Sequence, residues 1–413
     1  MRITGWSGGL AAAALLLAGC GGGPGGGGGK ISDGGIVLAV LNDQSGIYAD
    51  TSGRGTVEAV KLAVEDYRAK YGDQAVAEKI DVVAADHQNK PEIANSKAQE
   101  LYDRQHADVI LDVPTSSAAL AVATVAETKK KVFIDVGAAT TELTGESCNK
   151  YTFHYGYNSY MLAHGTGSEV TKDGADSWYI VYPDYAFGQD MTETFSAAIE
   201  ASGGTVVASD PTPFPNDNFS TFLLKAPGLD PKPKVLGTMH AGGDLINLVK
   251  QYNEYKLRDK GVDLALGLLA LSDIHSLGPD ALAGTRYTTM WVWSFDDQTR
   301  AWADRMRTKL GKRPTSNMAA NYSAALQYLE AVQRAGTDNA DEVVKQLEGR
   351  QIEDMFVRNG TIRAQDHLLV HDAYLAQVKP SSEVAEEWDY EKVVKTIPAA
   401  EAFPAQPDPA CEL

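Results

Sequence analysis

The sequence predicts an α/β fold built as two Rossmann-like lobes, and three observations carry that expectation. Short apolar runs alternate with stretches of helical period from residue 36 to residue 136. The same rhythm restarts near residue 160 and continues to about residue 271. Alternation of this kind implies a parallel sheet covered by helices on both faces. With 413 residues, 44% of them hydrophobic and 22% charged, the chain has the composition of a folded protein with a sizeable core.

The elements follow in order. Residues 36–41 are apolar and end at polar Asn42-Asp43, as a buried strand does. Residues 55–71 place Val57, Val60, Val64, Tyr67 and Tyr71 at spacings of three and four, one face of a helix. Residues 80–85 read as a strand, and residues 91–105, which open on Pro91, as a helix. A strand at 109–111, an Ala-rich helix at 116–130 and a strand at 132–136 complete the first set. In the second set the strands are 178–182, 205–209, 235–239 and 264–271, and the helices 160–172, 187–202 and 244–257. Residues 299–310, 317–335 and 340–347 are helical, and 373–378 is strand-like. The tail beyond it is rich in Pro and charge and has no core pattern.

The first residues carry a different signal. Arg2 is the only charge before an apolar run at 10–18. The run is shorter than the ~20 residues a membrane-spanning helix needs and has the size of a signal-peptide core. It ends Leu17-Ala18-Gly19-Cys20, which resembles the bacterial lipobox. That resemblance implies a signal peptide over 1–19 and a lipidated Cys20 as the mature N-terminus. Residues 20–35 then form a tether, with eight glycines among residues 21–29. Such a coil of about fifteen residues reaches roughly 20 Å. Export places the body in an oxidising compartment. With Cys20 set aside, Cys148 and Cys411 are one possible pair, and a disulfide pinning the tail is expected, two free thiols being the alternative.

Composition and motifs exclude several functions. Lys and Arg number 37 against 55 Asp and Glu, a net charge of −18, which disfavours nucleic acid. From residue 36 onward no phosphate-cradling GxxxxGK[ST] loop and no GxSxG elbow occurs. Gly53-Arg54-Gly55 and Gly165-Thr166-Gly167 lack the third glycine of a dinucleotide fingerprint. His367 and His371 are four apart but flank a strand-like Leu368-Leu369-Val370, so no metal, cofactor or catalytic residue is assigned. His87, after a strand, reads as a loop residue or a ligand contact. Thr115-Ser116-Ser117 sits where a strand ends and a helix begins. Hydroxyls favour helix N-caps, and a helix N-terminus attracts a carboxylate. Ligands of open α/β sheets bind at the carboxyl ends of strands. Capping without a ligand explains the same residues.

Several motifs in order give a resemblance that covers residue 36 to the C-terminus. They are Leu41-Asn42-Asp43-Gln44-Ser45-Gly46 with Tyr48-Ala49-Asp50, Asp86-His87-Gln88-Asn89-Lys90, and Thr115-Ser116-Ser117. Gly137-Ala138-Ala139-Thr140-Thr141-Glu142-Leu143-Thr144, Asp184-Tyr185-Ala186-Phe187-Gly188, Ala241-Gly242-Gly243-Asp244 and Asp273-Ile274-His275 follow. Together they resemble the branched-chain amino acid group of solute-binding proteins of ABC importers, the type I periplasmic binding proteins. The resemblance implies two lobes joined by three hinge strands and closing over a small ligand. It divides the chain into lobe 1 (36–155 and 291–353), lobe 2 (156–290 and 354–380) and a tail (381–413). It implies that Thr115, Ser116 and Ser117 hold the ligand carboxylate, with Ala138, Ala139 and Thr140 as a second loop. Tyr185 and Phe187 face them from the other lobe, Asp244 joins the ligand set, and Asp273 matches the acceptor of an amino group.

The chain departs from the amino-acid binders in lacking their first-lobe disulfide. Tyr48-Ala49-Asp50, Phe153-His154-Tyr155 and Asp273-x-His275 look like a subgroup that includes binders of oxo and aromatic carboxylates. Asp273 is then an ammonium partner, a helix cap or an acceptor from a hydroxylated ligand. Tyr48, Tyr155 and Tyr185 either wall a pocket or belong to core and rim. The implied protein is a monomeric, lipid-anchored receptor in the cell envelope, with a membrane permease and ATPase as partners. A ligand sensor of the same fold without a transport role is the alternative.

Overall fold

The computed structural model describes residues 31–413. The expected signal peptide, Cys20 and the glycine run lie outside the described residues. Strands β1 (Ile36–Asn42), β2 (Ile80–Asp86), β3 (Val109–Leu111), β4 (Val132–Asp135) and β5 (Thr152–His154) form a parallel sheet in the order β2-β1-β3-β4-β5. Successive side chains of a strand point to opposite faces. Leu38 and Val40 therefore pack with Val60, Ala63 and Tyr67 of α1 (Gly53–Tyr71). Ala39 and Leu41 pack with Ala98 and Leu101 of α2 (Pro91–Arg104) and Val122 of α3 (Ser116–Lys129). Both faces of the strands are covered, which is why they read as continuous apolar runs.

The second half repeats this arrangement. The helix expected over 160–172 is interrupted. Short helices α4 (Ser159–Leu162) and α5 (Ser168–Lys172) flank a π-type turn at residues 163–167. Strands β6 (Ser177–Pro183), β7 (Thr205–Thr212), β8 (Val235–Thr238) and β9 (Asp263–Leu266) make a parallel sheet in the order β7-β6-β8-β9. Trp178 and Ile180 pack with Met191 and Phe195 of α6 (Ala186–Ala201). Tyr179 and Val181 pack with Leu223 of α7 (Ser220–Lys225) and with Leu248 and Tyr252 of α8 (Gly242–Glu254). The strand expected over 264–271 stops at Leu266, and α9 (Leu271–Leu277) follows. An apolar run has no period of its own, so periodicity could not separate the paired residues from Leu268 and Leu269, which turn toward the cleft.

After β10 (Arg286–Thr289) the chain returns to the first sheet with α10 (Asp297–Leu310), α11 (Ser316–Ala335) and α12 (Ala340–Leu347). Ala324 and Tyr328 of α11 share the core with α1. A small antiparallel sheet, β11 (Gln351–Ile352), β12 (Gly360–Ile362) and β13 (Leu369–Val370), joins β5 through a bridge between His154 and Leu368. Strand β14 (Ala373–Val378) then pairs antiparallel with β10 and with β15 (Glu391–Ile397), and α13 (Ala399–Ala402) follows. β15 lies in the tail that had no core pattern. Lys392 and Lys395 flank its two valines, and the edge of β14 rather than any apolar run makes it a strand.

The polypeptide passes between the two large sheets at residues 155–158, 290–296 and 371–372. Cys148 and Cys411 form a disulfide, with Cα atoms 5.5 Å apart. No described helix is long and apolar enough to cross a membrane.

Candidate functional site

The loops after β1, β3 and β4 face the loops after β6, β8 and β9 across a cleft. The first of these loops is organised by Asp43. Its carboxylate accepts the N–H of Gly46 at 2.6 Å, the N–H of Tyr48 at 2.9 Å and the Asn89 side-chain amide at 2.6 Å. Tyr48 is thereby aimed at the opposite half, where its hydroxyl shares a hydrogen bond of 2.7 Å with that of Tyr185. Phe214 packs on the Tyr185 ring at 4.2 Å and closes the aromatic cluster. Two further contacts cross the cleft. The Gly243 N–H donates to the Ile47 carbonyl at 3.1 Å, and the hydroxyls of Thr51 and Ser272 lie 3.2 Å apart. Gly242 is required at this junction. Its φ is +56°, and a Cβ there would lie 2.3 Å from the Ile47 oxygen.

A cavity lies beneath these contacts. It holds about 620 Å³ of empty space, part of it open to solvent. The space therefore suits a small ligand and no polymer. Met161, Leu162, Phe187, Leu268, Leu269 and Met290 supply apolar wall. Hydroxyls and an amide come from Tyr48, Thr51, Ser52, Tyr157, Tyr185, Ser316 and Asn317, and among the described residues Asp273 is the one acidic side chain in the lining. Among the described residues no Lys, Arg or His lines it, so a bound anion would rely on hydroxyls and backbone N–H groups.

The expected ligand residues divide into two groups. Tyr48, Tyr185, Phe187 and Asp273 line the cavity. Asp273 also caps its own helix, accepting the Ala270 N–H at 3.0 Å. Burial pushes its carboxyl up to about 7, and Asp50 nearby adds to the rise. Burial raises the Tyr48 phenol as well, and its pairing with Tyr185 reinforces the effect.

The other expected residues sit outside the lining. The Thr115 hydroxyl donates to Asn89 at 2.5 Å instead of capping α3. Ser116 is fully buried at the first position of α3, and its hydroxyl has no partner. Ser117 stands beside it, half-buried. The loop after β4 is held from below. Ala138 donates its N–H to Asp135 at 3.0 Å, the Ala139 carbonyl accepts the Ser159 N–H at 2.8 Å, and the Thr140 hydroxyl accepts the Glu142 N–H at 3.3 Å. Instead, Pro114 and Gly137 present the surfaces of these two loops to the cavity. Tyr155 points into the core, where its hydroxyl meets that of Ser323 at 2.7 Å. Asp244 turns to the neighbouring loop and accepts the Asn216 N–H at 3.0 Å, and burial lifts it to about 7. His87 is buried, accepts the Asn89 N–H at 2.9 Å, and is depressed to about 4 by desolvation.

Sequence reasoning missed Tyr157, Met161, Leu268, Leu269, Thr288, Thr289, Met290, Ser316 and Asn317, all of which line the cavity. The start signal Thr315-Ser316-Asn317 at α11 was available, since Thr315 accepts the Met318 N–H as an N-cap does. Nothing local marked the passage residues. Among the described residues no cluster of His, Cys, Asp or Glu could hold a metal ion.

Two α/β halves, joined by three passages and in contact over a partly open cavity, are the architecture of a hinged ligand-binding protein. The chain belongs to the periplasmic binding protein family, whose model matches residues 35–383. It is similar to a periplasmic binding protein of Burkholderia mallei, at 41% identity, covering 90% of this chain and 96% of that one, with a TM-score of 0.85. It is also similar to a branched-chain amino acid ABC transporter periplasmic ligand-binding protein of Burkholderia xenovorans, at 35% identity over 89% of this chain and 97% of that one, with a TM-score of 0.78. A solute-binding protein of Rhodopseudomonas palustris, solved with benzoate, shares the fold at 21% identity over 92% of this chain and all of that one, with a TM-score of 0.77. The Leu/Ile/Val-binding protein homolog 6 of Brucella melitensis is 24% identical over 61% of this chain, and the chain spans 64% of that relative's length. The family and these relatives are solute-binding proteins rather than enzymes.

Proposed function

We propose that this protein is an extracytoplasmic receptor that encloses a small carboxylate-bearing molecule between its two halves and delivers it to the permease and ATPase of an ABC importer. The observation that supports this best is the closure itself. Tyr48–Tyr185 and Ile47–Gly243 join the two halves directly above a small cavity walled by apolar side chains and hydroxyls. Hinge closure of this kind is a population shift toward the form that touches the ligand from both sides.

The ligand class is an amino acid, an oxo acid or an aromatic acid. Its carboxylate would meet the first turn of α3, where the buried Ser116 hydroxyl lacks a partner. The Burkholderia relative is described as serving a branched-chain amino acid transporter, and the Rhodopseudomonas protein holds benzoate. Both are carboxylates.

The halves correspond to lobe 1 (36–155 with 291–353) and lobe 2 (156–290 with a return strand). The return to lobe 2, expected over 354–380, takes in the strand at 373–378, while the small sheet at 351–370 pairs toward β5. The protein acts as a monomer, exported and held to a membrane by a lipid on Cys20. A thermal-shift screen over branched amino acids, short oxo acids and benzoates tests the reading. Stabilisation by one carboxylate class is expected, and stabilisation by neutral sugars alone would overturn it. Substituting Cys20→Ser should move the protein from the membrane to the soluble fraction.

A further inference from the structure

Three passages connect the two halves, but the tail makes a fourth. Its first part belongs to the second half. β15 pairs with β14, which pairs with β10, and the Thr288 hydroxyl of β10 meets that of Thr166 in the turn before α5 at 2.9 Å. Its end belongs to the first half. Cys411 is bonded to Cys148, and Cys148 donates its N–H to the Gly145 carbonyl in the loop after β4.

Between these anchors the chain runs along the third passage. The Ala399 N–H donates to Asp372 at 2.9 Å, and the Phe403 ring lies 5.2 Å from that of His371. The Arg363 guanidinium, paired with Asp366, donates to the Pro404 carbonyl at 2.7 Å. Asp408 sits against Gly145, where a Cβ would come within 3.2 Å of its carboxylate. The connection is therefore packed as far as Pro404, runs largely exposed over 405–410 and is covalently closed at its far end.

We propose that residues 398–411 act as a strap across the hinge, closed by the Cys148–Cys411 bond, which restricts how far and how often the cleft opens. The proposal rests on the reading of the cleft as one that opens. Opening must break the Gly243–Ile47 hydrogen bond, so exchange of the Gly243 amide reports it, while Ile110 in β3 at the centre of the first sheet reports unfolding.

The test is hydrogen exchange on peptides carrying these two residues, in the intact protein and in Cys148→Ser/Cys411→Ser. Phosphine reduction of the folded chain serves as a second route should the variant fold poorly. Gly243 is expected to exchange faster than Ile110 in the intact chain, and cutting the strap should accelerate Gly243 alone by about tenfold. Phe403→Ala, which loosens the strap and keeps the bond, should move Gly243 in the same direction by less. Unchanged Gly243 exchange after cutting would overturn the strap, as would an acceleration that Ile110 matches. If Gly243 is as slow as Ile110 in the intact chain, the opening cleft itself fails, and the strap with it.

Discussion

Gly242 offers the most direct test of closure as the binding step. In Gly242→Ala the new Cβ would sit 2.3 Å from the Ile47 carbonyl oxygen, a backbone atom that cannot swing aside. A carbon and a carbonyl oxygen approach to about 3.3 Å, so the two halves must part by roughly 1 Å. That displacement breaks the 3.1 Å bond from Gly243 to Ile47 and strains the 2.7 Å bond between Tyr48 and Tyr185. Each is worth about 1 kcal/mol net, so the closed form loses about 2 kcal/mol relative to the open one. Ligand affinity should therefore fall roughly 30-fold.

The φ of +56° adds a second, separable cost. Alanine in the left-handed region costs about 1–2 kcal/mol, but it does so in open and closed forms alike. It should lower the melting temperature by about 2–4 °C per kcal/mol and leave the affinity ratio untouched. Calorimetric titration with the most stabilising carboxylate, paired with small-angle scattering of the ligand-free protein, measures both effects. A dissociation constant within about twofold of the parent, with an unchanged radius of gyration, would refute the argument.

Three further outcomes are expected. Ser116→Ala removes a buried hydroxyl that has no partner in the free protein, so melting should hold or rise while binding weakens by about 1–3 kcal/mol; equal binding reduces Ser116 to a helix-start residue. Tyr185→Phe deletes one hydroxyl of the pair across the cleft and should cost about 1 kcal/mol, a roughly fivefold rise in dissociation constant; a gain in affinity would mean the pair opposes closure. Burial raises Asp273 to about 7; its unfolded carboxyl ionises near 4, so the folded state holds the extra proton and stability falls as pH rises from about 4 to about 7. Asp273→Asn should lessen that slope, as read from denaturant midpoints across the window, and an unaltered slope would show that Asp273 does not titrate there.

Most of the supporting elements were legible in the sequence. Leu38–Val40 and Trp178–Ile180 alternate between two covered faces, and the helices that cover them carry apolar residues three and four apart. These patterns are local, because strand and helix periods are properties of consecutive residues. β15 was not legible, since its pairing surface is supplied by β14 and its own short apolar stretch, Val393-Val394, is flanked by Lys392 and Lys395.

By itself the sequence determined the paired α/β halves and the Cys148–Cys411 candidate pair, both of which depend on residue type and spacing. Tertiary structure alone decided which strand-end residues reach the cavity. Tyr48 and Tyr185 stand 137 positions apart and meet only because the two sheets face each other. Asp244 and Asp273 were both expected to touch the ligand, yet one turns to Asn216 and the other lines the cavity. A cavity wall is made where two independently folded surfaces come together, and no periodicity within either surface encodes that distance.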